Sequence, residues 1–283
     1  RSFISPDPRI TLNYHPRPPI LCLYITACTI NTFIDVRLQR WVARRLLDLF
    51  VSFRMPQQAH SIALGIISGH KKDDEINAEV YYKKLSHQHE YSGSILDFFT
   101  QVYHIENNMI HGKGYNYGLN LMLKEQGKLS GWVSYAIGSS RRRFPELSPT
   151  EWFNSTFDRL HDLSVVANYR FNRHWSLGGD FVYASGTPYT KAKSVYVINN
   201  NIVSEYGKYN GANLPSTHRM DIALTYRFFL VDTGSKAELS IYNLYARRNV
   251  LFSYLGFQEE NFGYKHVYSL CRMLPSIGYT LKF

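Results

Sequence analysis

From residue 58 to its end, the chain alternates large apolar and polar side chains in segments of about ten residues, the length that a tilted strand needs to cross a membrane. The clearest segment is 219–228, whose apolar positions are Met220, Ile222, Leu224, Tyr226 and Phe228. Successive side chains of a strand point to opposite faces, so each segment is predicted to have one apolar and one polar face. Soluble antiparallel sheets show the same alternation, so the period alone does not choose between lipid and a protein core.

The connections between the segments favour lipid. Short connections lie at 70–74, 126–127, 172–174 and 231–235. They alternate with long connections at 87–114, 139–160 and 186–218, and with a shorter one around 256–263. Long loops at one end and short turns at the other are typical of outer-membrane barrels, whereas loops above about 12–15 residues are uncommon in compact soluble domains. The sequence therefore predicts an all-β protein, an antiparallel transmembrane β-barrel of the cell outer membrane.

The positions of charged and aromatic side chains also agree with a membrane barrel. Ionisable side chains fall almost entirely on the polar parity, as expected if the other face meets lipid, where a Lys or Arg costs about 2–4 kcal/mol. Aromatic residues gather at the short-turn ends (Phe171, Trp175, Phe228 and Phe283) and towards the long loops (Tyr82, Tyr115, Tyr117, Tyr135 and Tyr183). Tyr and Trp favour membrane interfaces because part of the ring is apolar and part can hydrogen-bond. Two interfacial belts are predicted.

The last segment carries a separate signal. Its apolar positions are Ile277, Tyr279, Leu281 and Phe283. This ending resembles the C-terminal insertion signal of outer-membrane β-barrel proteins, which implies the barrel assembly machinery as a partner. The terminal strand of a soluble sheet is the alternative interpretation.

Composition argues against several other classes. Three Cys among 283 residues indicate neither a disulfide framework nor a Cys-rich metal site. The formal charge is +10, but Lys and Arg are spread through the chain without a nucleic-acid-binding motif, so no nucleic-acid partner is expected. No apolar run approaches the roughly 20 residues of a membrane helix.

Residues 1–57 do not share the alternation and form a separate, poorly assigned N-terminal segment. Residues 9–14 are compatible with a strand, and 35–53 have helix-like apolar spacing. The run 25–28 resembles a lipoprotein cleavage box that would lipidate Cys28, but the preceding residues, with five prolines, make a poor leader. Because the sequence lacks an initiator Met and a leader, we expect it to be the tail of a longer exported polypeptide.

Several ordered motifs carry a family resemblance. They are Glu79–Lys84, Gly112–Gly118, Tyr183–Thr190, Asn213–Leu224, Ile241–Arg247 and Leu274–Tyr279. Over residues 58–283, they resemble the C-terminal part of the barrel of TonB-dependent outer-membrane receptors. The resemblance implies about ten C-terminal strands of a plugged barrel of about 22 strands. It also implies uptake of a scarce nutrient, such as a metal chelate, vitamin or glycan, with energy from the TonB complex, which would act through an N-terminal plug outside this chain.

The chain shows no catalytic constellation, so neither an enzyme nor a cofactor is expected. His87 and His89 lack a placed third ligand, so no metal site is predicted. Exposed loop aromatics supply contact area, and substrate contacts are therefore predicted at Trp152, Phe153, Tyr189, Tyr196, Tyr206 and Tyr209. Polar-face charges are predicted to face the lumen, where bonding between wall and plug is their ordinary role: Asp162, Arg170, Asp180, Arg219, Asp221 and Arg227.

Two alternatives to active transport stay open at this point. One is a passive porin-like or adhesive barrel in the outer membrane. The other is a lipid-anchored or soluble β-sheet binding protein, the anchored form using Cys28. In the barrel interpretations, outer-membrane lipid surrounds the apolar face.

The sequence generates a first prediction about the chain in isolation. Part of a barrel leaves two strand edges without partners, and such edges associate with other chains. We expect the chain refolded alone in detergent to form heterogeneous assemblies, measured by size-exclusion chromatography and by gel mobility with and without heating. A monodisperse, heat-modifiable monomer would contradict this expectation.

Overall fold

The computed structural model describes residues 8–17, 21–32, 57–69, 74–91, 109–198, 201–230, 233–258 and 261–281. The regular elements of these ranges are all β-strands. In chain order, they are β1 (Arg9–Arg17), β2 (Leu21–Thr32), β3 (Gln57–Ser68), β4 (Glu75–Tyr91), β5 (Met109–Glu125), β6 (Leu129–Arg143), β7 (Phe153–Asn154), β8 (His161–Arg170), β9 (Trp175–Ala184), β10 (Pro188–Tyr189), β11 (Ala192–Ile198), β12 (Asn201–Tyr206), β13 (Ala212–Asn213), β14 (Thr217–Leu230), β15 (Thr233–Tyr242), β16 (Val250–Gln258), β17 (Asn261–Tyr268) and β18 (Leu274–Thr280). None of the described residues belongs to a helix with the length and hydropathy needed to span a membrane.

One 12-stranded sheet dominates the described part of the chain. Its order is β1-β2-β3-β4-β5-β6-β8-β9-β14-β15-β18, with β7 paired to the end of β6. All of its pairs are antiparallel. Three small sheets lie within the long connections and pair β10 with β13, β11 with β12, and β16 with β17. The all-β, antiparallel fold predicted from the alternation is therefore confirmed.

Short and long connections alternate strictly along the large sheet. The short ones are 18–20, 69–74, 126–128, 171–174 and 231–232. The long ones are 33–56, 92–108, 144–160, 185–216 and 243–273. Because every neighbouring pair is antiparallel, all long connections leave from the same end of the sheet, which we call the long-loop end.

Three of the predicted connections have different lengths in the structure. The one predicted at 139–160 begins at 144, because β6 extends to Arg143. β4 and β5 pair out to Tyr91 and Met109, so the loop predicted at 87–114 is shorter than expected. The connection predicted around 256–263 is much longer and spans 243–273. It is longer because β16 and β17 pair with each other, while β18 pairs directly with β15.

The register aligns apolar side chains across the sheet. One row joins Leu12, Ile25, Leu64, Val80, Leu119 and Ile137. Another joins Leu129, Tyr169, Leu177, Leu224, Leu239 and Ile277. Because side chains alternate across a strand, these rows share one face of the sheet, which we call the apolar face, and the opposite side is the polar face.

The apolar face is exposed in the described part of the chain. Exposure reaches 65% at Leu12, 58% at Val80 and 85% at Ile277. The buried apolar side chains lie instead at the long-loop end or within the long connections, and they are Leu85, Ile110, Phe144, Phe153, Ala184, Ala192 and Val250. A soluble domain would bury rows of this kind under a second layer, whereas the wall of a membrane barrel presents them to lipid.

Aromatic rings cover glycines on the polar face. Tyr81, Gly118 and Gly138 are in register on β4, β5 and β6. A Cβ added at Gly118 would lie 2.7 Å from the Tyr81 hydroxyl and 2.7 Å from the carbonyl oxygen of Ile137. Glycine is therefore required at this position because a ring and a backbone carbonyl occupy the space of any side chain.

We predict that Gly118→Ala destabilises the assembled barrel by about 1–3 kcal/mol, because the added methyl group overpacks against backbone. Gly178→Ala is the matched control, since its Cβ would find its nearest neighbour, the carbonyl oxygen of Ala223, at 3.8 Å, an ordinary contact. The urea midpoint of the complete barrel protein in vesicles measures both. Equal midpoints for the two variants would contradict the close approach of Tyr81.

Candidate functional site

The long connections converge on an aromatic cluster at the long-loop end. Ile110 of β5, Phe144 after β6 and Phe153 of β7 are buried together, and Tyr209 packs against them. The Phe153 ring stacks on Phe144 at 5.8 Å between centroids and meets Tyr209 edge-on at 4.9 Å. We call these four residues the loop cluster. It joins connection 144–160 to connection 185–216 and to the extended end of the β4–β5 pair.

Hydrogen bonds reinforce the loop cluster. The Tyr209 hydroxyl donates to the Glu90 carboxylate on β4. Burial, and then this carboxylate, raise the pKa of Tyr209, so its hydroxyl stays protonated and remains a donor. The Asn210 side chain is buried and donates to the carbonyl of Asn154 at 2.8 Å, while its backbone N–H donates to Thr190 Oγ1 at 3.0 Å. Asn210 has a φ of 50°, a left-handed conformation that Asn tolerates better than most residues.

The last long connection joins the same assembly. Tyr264 of β17 meets Tyr189 of β10 with ring centroids 6.2 Å apart, and Lys191 lies over the Tyr264 ring at 5.4 Å. The backbone N–H of Ala192 donates to the Tyr264 hydroxyl. The β16–β17 hairpin is thereby held against connection 185–216.

A polar clamp fixes connection 243–273 at its beginning. Asn249 accepts from the His218 backbone N–H at 3.1 Å and donates to the His218 carbonyl at 3.0 Å. Arg247 donates to the Ser216 carbonyl at 3.0 Å. Asn243, which is 1% exposed and has a φ of 54°, donates from its backbone to Asp221 at 2.7 Å. The three long connections 144–160, 185–216 and 243–273 therefore form one linked assembly.

The structure divides the six aromatic residues predicted to contact substrate. Phe153 and Tyr209 belong to the loop cluster, where they hold the loops together. Trp152 packs on Tyr115 at 4.8 Å, on the apolar side of the wall. Tyr189 touches Tyr264. Tyr196 and Tyr206 are exposed on the β11–β12 hairpin. These last two have the accessibility that a binding role needs.

An ordered carboxylate lies on the same hairpin. Glu205 accepts hydrogen bonds from the Tyr196 hydroxyl at 2.9 Å and from Ser194 Oγ at 3.1 Å. These two hydrogen bonds lower the pKa of Glu205, so the carboxylate is charged at neutral pH. The hairpin thus presents an exposed tyrosine and a carboxylate in a fixed relation.

The predicted lumen residues all share the polar face. Asp180 and Asp221 are direct cross-strand partners, and Arg219 donates to Asp221 with an Nε to Oδ2 distance of 2.9 Å. The Arg219 guanidinium also lies 4.3 Å from the centre of the Tyr242 ring. Register places Asp162, Arg170 and Arg227 on the same face in other rows. The structure therefore groups Asp180, Arg219 and Asp221 and leaves the other three apart, and the lumenal role of all six stays a prediction.

A second polar group was not singled out from the sequence. Glu79 on β4 accepts from the Tyr24 hydroxyl at 2.8 Å and from the Asn120 side chain at 3.2 Å. The alternation already placed Glu79 on the polar parity, but pairing of β2 with β3 is what brings Tyr24 within reach. No group of three or more potential metal ligands occurs in the described ranges. The Nδ1 atoms of His89 and His111 lie 2.7 Å apart across the β4–β5 pair.

The exposed apolar face and the interlocked long connections define a class: a stretch of antiparallel β-barrel wall with linked long loops at one end. No protein-family model matches the chain. No curated protein matches it either. Solved structures do match the chain.

The chain is similar to the unliganded ferric citrate transporter FecA, with a TM-score of 0.61 and 14% identity over 97% of this chain and 38% of that one. It is also similar to the ferripyoverdine receptor of the outer membrane of Pseudomonas aeruginosa (TM-score 0.58, 12% identity, 86% and 29% coverage). The FrpB iron transporter from Neisseria meningitidis is similar with a TM-score of 0.54 and 11% identity, over 96% of this chain and 37% of that one. The chain thus spans about a third of the length of these proteins.

The similarity establishes the fold. The chain has the fold of part of the barrel of a TonB-dependent outer-membrane receptor, as its ordered motifs predicted. Within residues 1–57, the structure describes the strands β1 and β2, and both continue the large sheet. The helix-like spacing at 35–53 lies outside the described residues.

We predict that Phe153→Ala loosens the long loops, because truncating a buried Phe costs about 3–5 kcal/mol. Phe157→Ala in the same connection is the control, since Phe157 is 86% exposed while Phe153 is 4% exposed. Limited proteolysis of intact cells, followed by mass spectrometry, reports cleavage within 144–160 and 185–216. Equal cleavage rates in the two variants would show that the loop cluster does not hold the loops.

Proposed function

We propose that the chain forms part of the wall and the outer loops of an outer-membrane transporter that takes up a scarce nutrient with energy from the TonB complex. The long-loop end would face the outside of the cell, and the apolar face would contact outer-membrane lipid. TonB would act through a plug domain contributed by polypeptide outside this chain. The barrel assembly machinery would recognise the apolar positions of the last strand.

The interlocked loop assembly is the observation that carries this proposal. A passive pore needs only an open lumen, but a receptor needs a preformed surface that contacts a solute. Here three long connections are joined by the loop cluster, by Tyr264 and by the clamp around Asn249. The structural neighbours carry the names of ferric citrate, ferripyoverdine and iron transporters, and this supports a metal chelate over a vitamin or glycan.

The charge of the loops supports the same solute class. In connection 185–216, Lys191, Lys193 and Lys208 outnumber the one carboxylate, Glu205. Connection 243–273 has four cations, Arg247, Arg248, Lys265 and Arg272, against Glu259 and Glu260. Connection 144–160 has one cation against three carboxylates, so the three linked connections together carry eight cations and six carboxylates, a net charge of +2. Iron chelated by carboxylate or catecholate groups carries negative charge, which a cationic loop surface attracts. We therefore propose an anionic ferric chelate as the solute, with Tyr196 and Tyr206 as exposed contacts.

We predict that Tyr196→Ala/Tyr206→Ala in the complete protein weakens binding of its ferric chelate about tenfold or more, because aromatic anchors dominate contact energy and 1.4 kcal/mol is tenfold in affinity. Binding to intact cells of radiolabelled iron complexed with citrate or with a catecholate measures this. Phe157→Ala serves as the control, since it removes an exposed ring outside the hairpin. Unchanged binding in the double variant would exclude these tyrosines as contacts.

The energy requirement distinguishes an importer from the passive alternatives. Accumulation of radiolabelled iron should be lost when TonB is deleted, while surface binding persists. Uptake that is equal with and without TonB would overturn the proposal in favour of a porin-like barrel. Surface attachment to host or bacterial cells without any chelate binding would favour the adhesive barrel.

A further inference from the structure

β15 ends at a backbone position that a side chain of the neighbouring strand holds. Asn243 follows Tyr242, the last residue of β15, and has a φ of 54°, outside the range of a strand. Its backbone N–H leaves the ladder between β14 and β15, and the N–H of Leu244 takes the Met220 carbonyl at 2.7 Å instead. The displaced N–H of Asn243, a residue that is 1% exposed, donates to Asp221 Oδ1 at 2.7 Å. The carboxylate thus supplies the partner that the ladder no longer provides.

Asp221 is itself fixed for this contact. Arg219, two residues earlier on β14, donates from Nε to both carboxylate oxygens, at 3.0 and 2.9 Å. The same guanidinium donates to the Tyr242 hydroxyl at 3.0 Å and lies 4.3 Å from the centre of that ring. Arg219 and Asp221 therefore hold two consecutive residues, Tyr242 and Asn243, where the chain leaves the wall. Hydrogen bonds to an ionised acceptor are about twice as strong as neutral ones.

A compact turn follows, and the Asn243 side chain closes it. This side chain donates to the Arg247 carbonyl at 2.9 Å and accepts from the Arg247 backbone N–H at 3.1 Å. Ala246, with a φ of 53°, donates from its backbone to the Asn243 carbonyl at 2.8 Å. Residues other than Gly keep a left-handed conformation only where surrounding contacts fix them. The shape of this turn, residues 243–249, which we call the exit turn, therefore depends on where Asn243 is held.

The exit turn also fastens the connection that precedes β14. Arg247 donates to the Ser216 carbonyl at 3.0 Å. Asn249 forms two hydrogen bonds with the His218 backbone, at 3.1 and 3.0 Å. Ser216 is the last residue of connection 185–216, which carries the exposed tyrosines of the β11–β12 hairpin. The exit turn thus sets the end of this connection and, because β16 begins directly after it, the start of the β16–β17 hairpin.

We propose that Asp221 is a positioning residue for the solute-contacting loops. From the polar face of the wall, its carboxylate fixes Asn243, the exit turn and, through the turn, one end of each of the connections 185–216 and 243–273. Its cross-strand partner Asp180 carries the same charge on the same face, but of the two, Asp221 is the one hydrogen-bonded to the exit turn among the described residues. The hold on the turn follows from the fold, and its consequence for chelate binding rests on the proposed function.

Hydrogen exchange of the complete protein in detergent, measured by mass spectrometry, tests this role. In Asp221→Ala we expect segment 243–249 to exchange at least about tenfold faster, since a hydrogen bond to a charged group contributes about this factor or more. Asp180→Ala is the matched control, because it removes a carboxylate from the same row of the polar face and leaves the printed bonds of the exit turn in place. Asp221→Asn keeps an oxygen acceptor for the Asn243 N–H and should restore slow exchange.

Two exchange results would overturn the proposal. One is equal exchange of segment 243–249 in Asp221→Ala and Asp180→Ala. The other is fast exchange in Asp221→Asn, which would assign the effect to the ion pair with Arg219 and not to the contact with Asn243. Slow exchange of segment 117–123 on β5 shows that each variant has assembled. If Asp221→Ala does not assemble, Asp221→Thr gives the same test, since a β-branched side chain suits a strand and its hydroxyl is one atom shorter than the carboxylate.

Chelate binding to intact cells provides the second readout. Binding of radiolabelled iron complexed with citrate or a catecholate should weaken in Asp221→Ala and recover in Asp221→Asn, because the exit turn holds one end of the connection that carries the β11–β12 hairpin. Unchanged binding despite faster exchange would overturn the link to the solute contacts. The exchange measurement needs no solute. A wild type that binds no chelate would therefore contradict the proposed function while the exchange result still decides the role of Asp221.

Discussion

Backbone hydrogen bonding within a layer that contains no water is the constraint from which the rest of this structure follows. In hydrocarbon, each N–H and C=O must find a partner inside the protein, so strands must pair with neighbours on both sides. The large sheet meets this requirement at every strand between its edges β1 and β18, through ten successive antiparallel pairings. Lipid also keeps the middle of one face apolar, because a Lys or Arg on that face would cost about 2–4 kcal/mol at mid-depth.

The polar face solves a different problem. Its side chains have no lipid to meet, so they satisfy one another: Tyr24 and Asn120 donate to Glu79, Arg219 pairs with Asp221, and Tyr81 covers Gly118. The contacts of Glu79 and Tyr81 join neighbouring strands and help to fix the register, since a slip by one residue would exchange the two faces. At the long-loop end the constraint is lifted, and the chain builds small sheets and a compact aromatic cluster instead.

Local alternation was enough to predict the wall but not the loops. The strand at 219–228 is predicted correctly because the alternation and the separation of charged from apolar side chains are both visible within a single strand. The short connection predicted around 256–263 is wrong, because β16 and β17 alternate like strands of the wall. Nothing in the local sequence shows that β18 pairs with β15 and that β16 and β17 pair only with each other. The extension of β4 and β5 past residue 87 follows from their mutual pairing in polar sequence, where the apolar signal fades.

The candidate site shows the same division. Polar parity alone placed Arg219, Asp221 and Asp180 on one face, and their spacing of two along β14 made the first pair neighbours. Composition could mark Trp152, Phe153 and Tyr209 only as loop aromatics. Which of them is buried, and which lies against the outer side of the wall, depends on contacts between residues more than 35 positions apart, and these are fixed by tertiary packing.

The central claim is that lipid covers the apolar face, and site-directed spin labelling of the complete protein in vesicles tests it most directly. Labels at Leu121, Leu224 and Ile277 should be quenched strongly by oxygen, which dissolves in hydrocarbon, and weakly by a water-soluble nickel chelate. Labels at the polar-face neighbours Asn120 and Thr225 should respond less to oxygen. If the first three labels prove shielded from both reagents, as inside a protein core, the account of this chain as a membrane barrel wall is wrong.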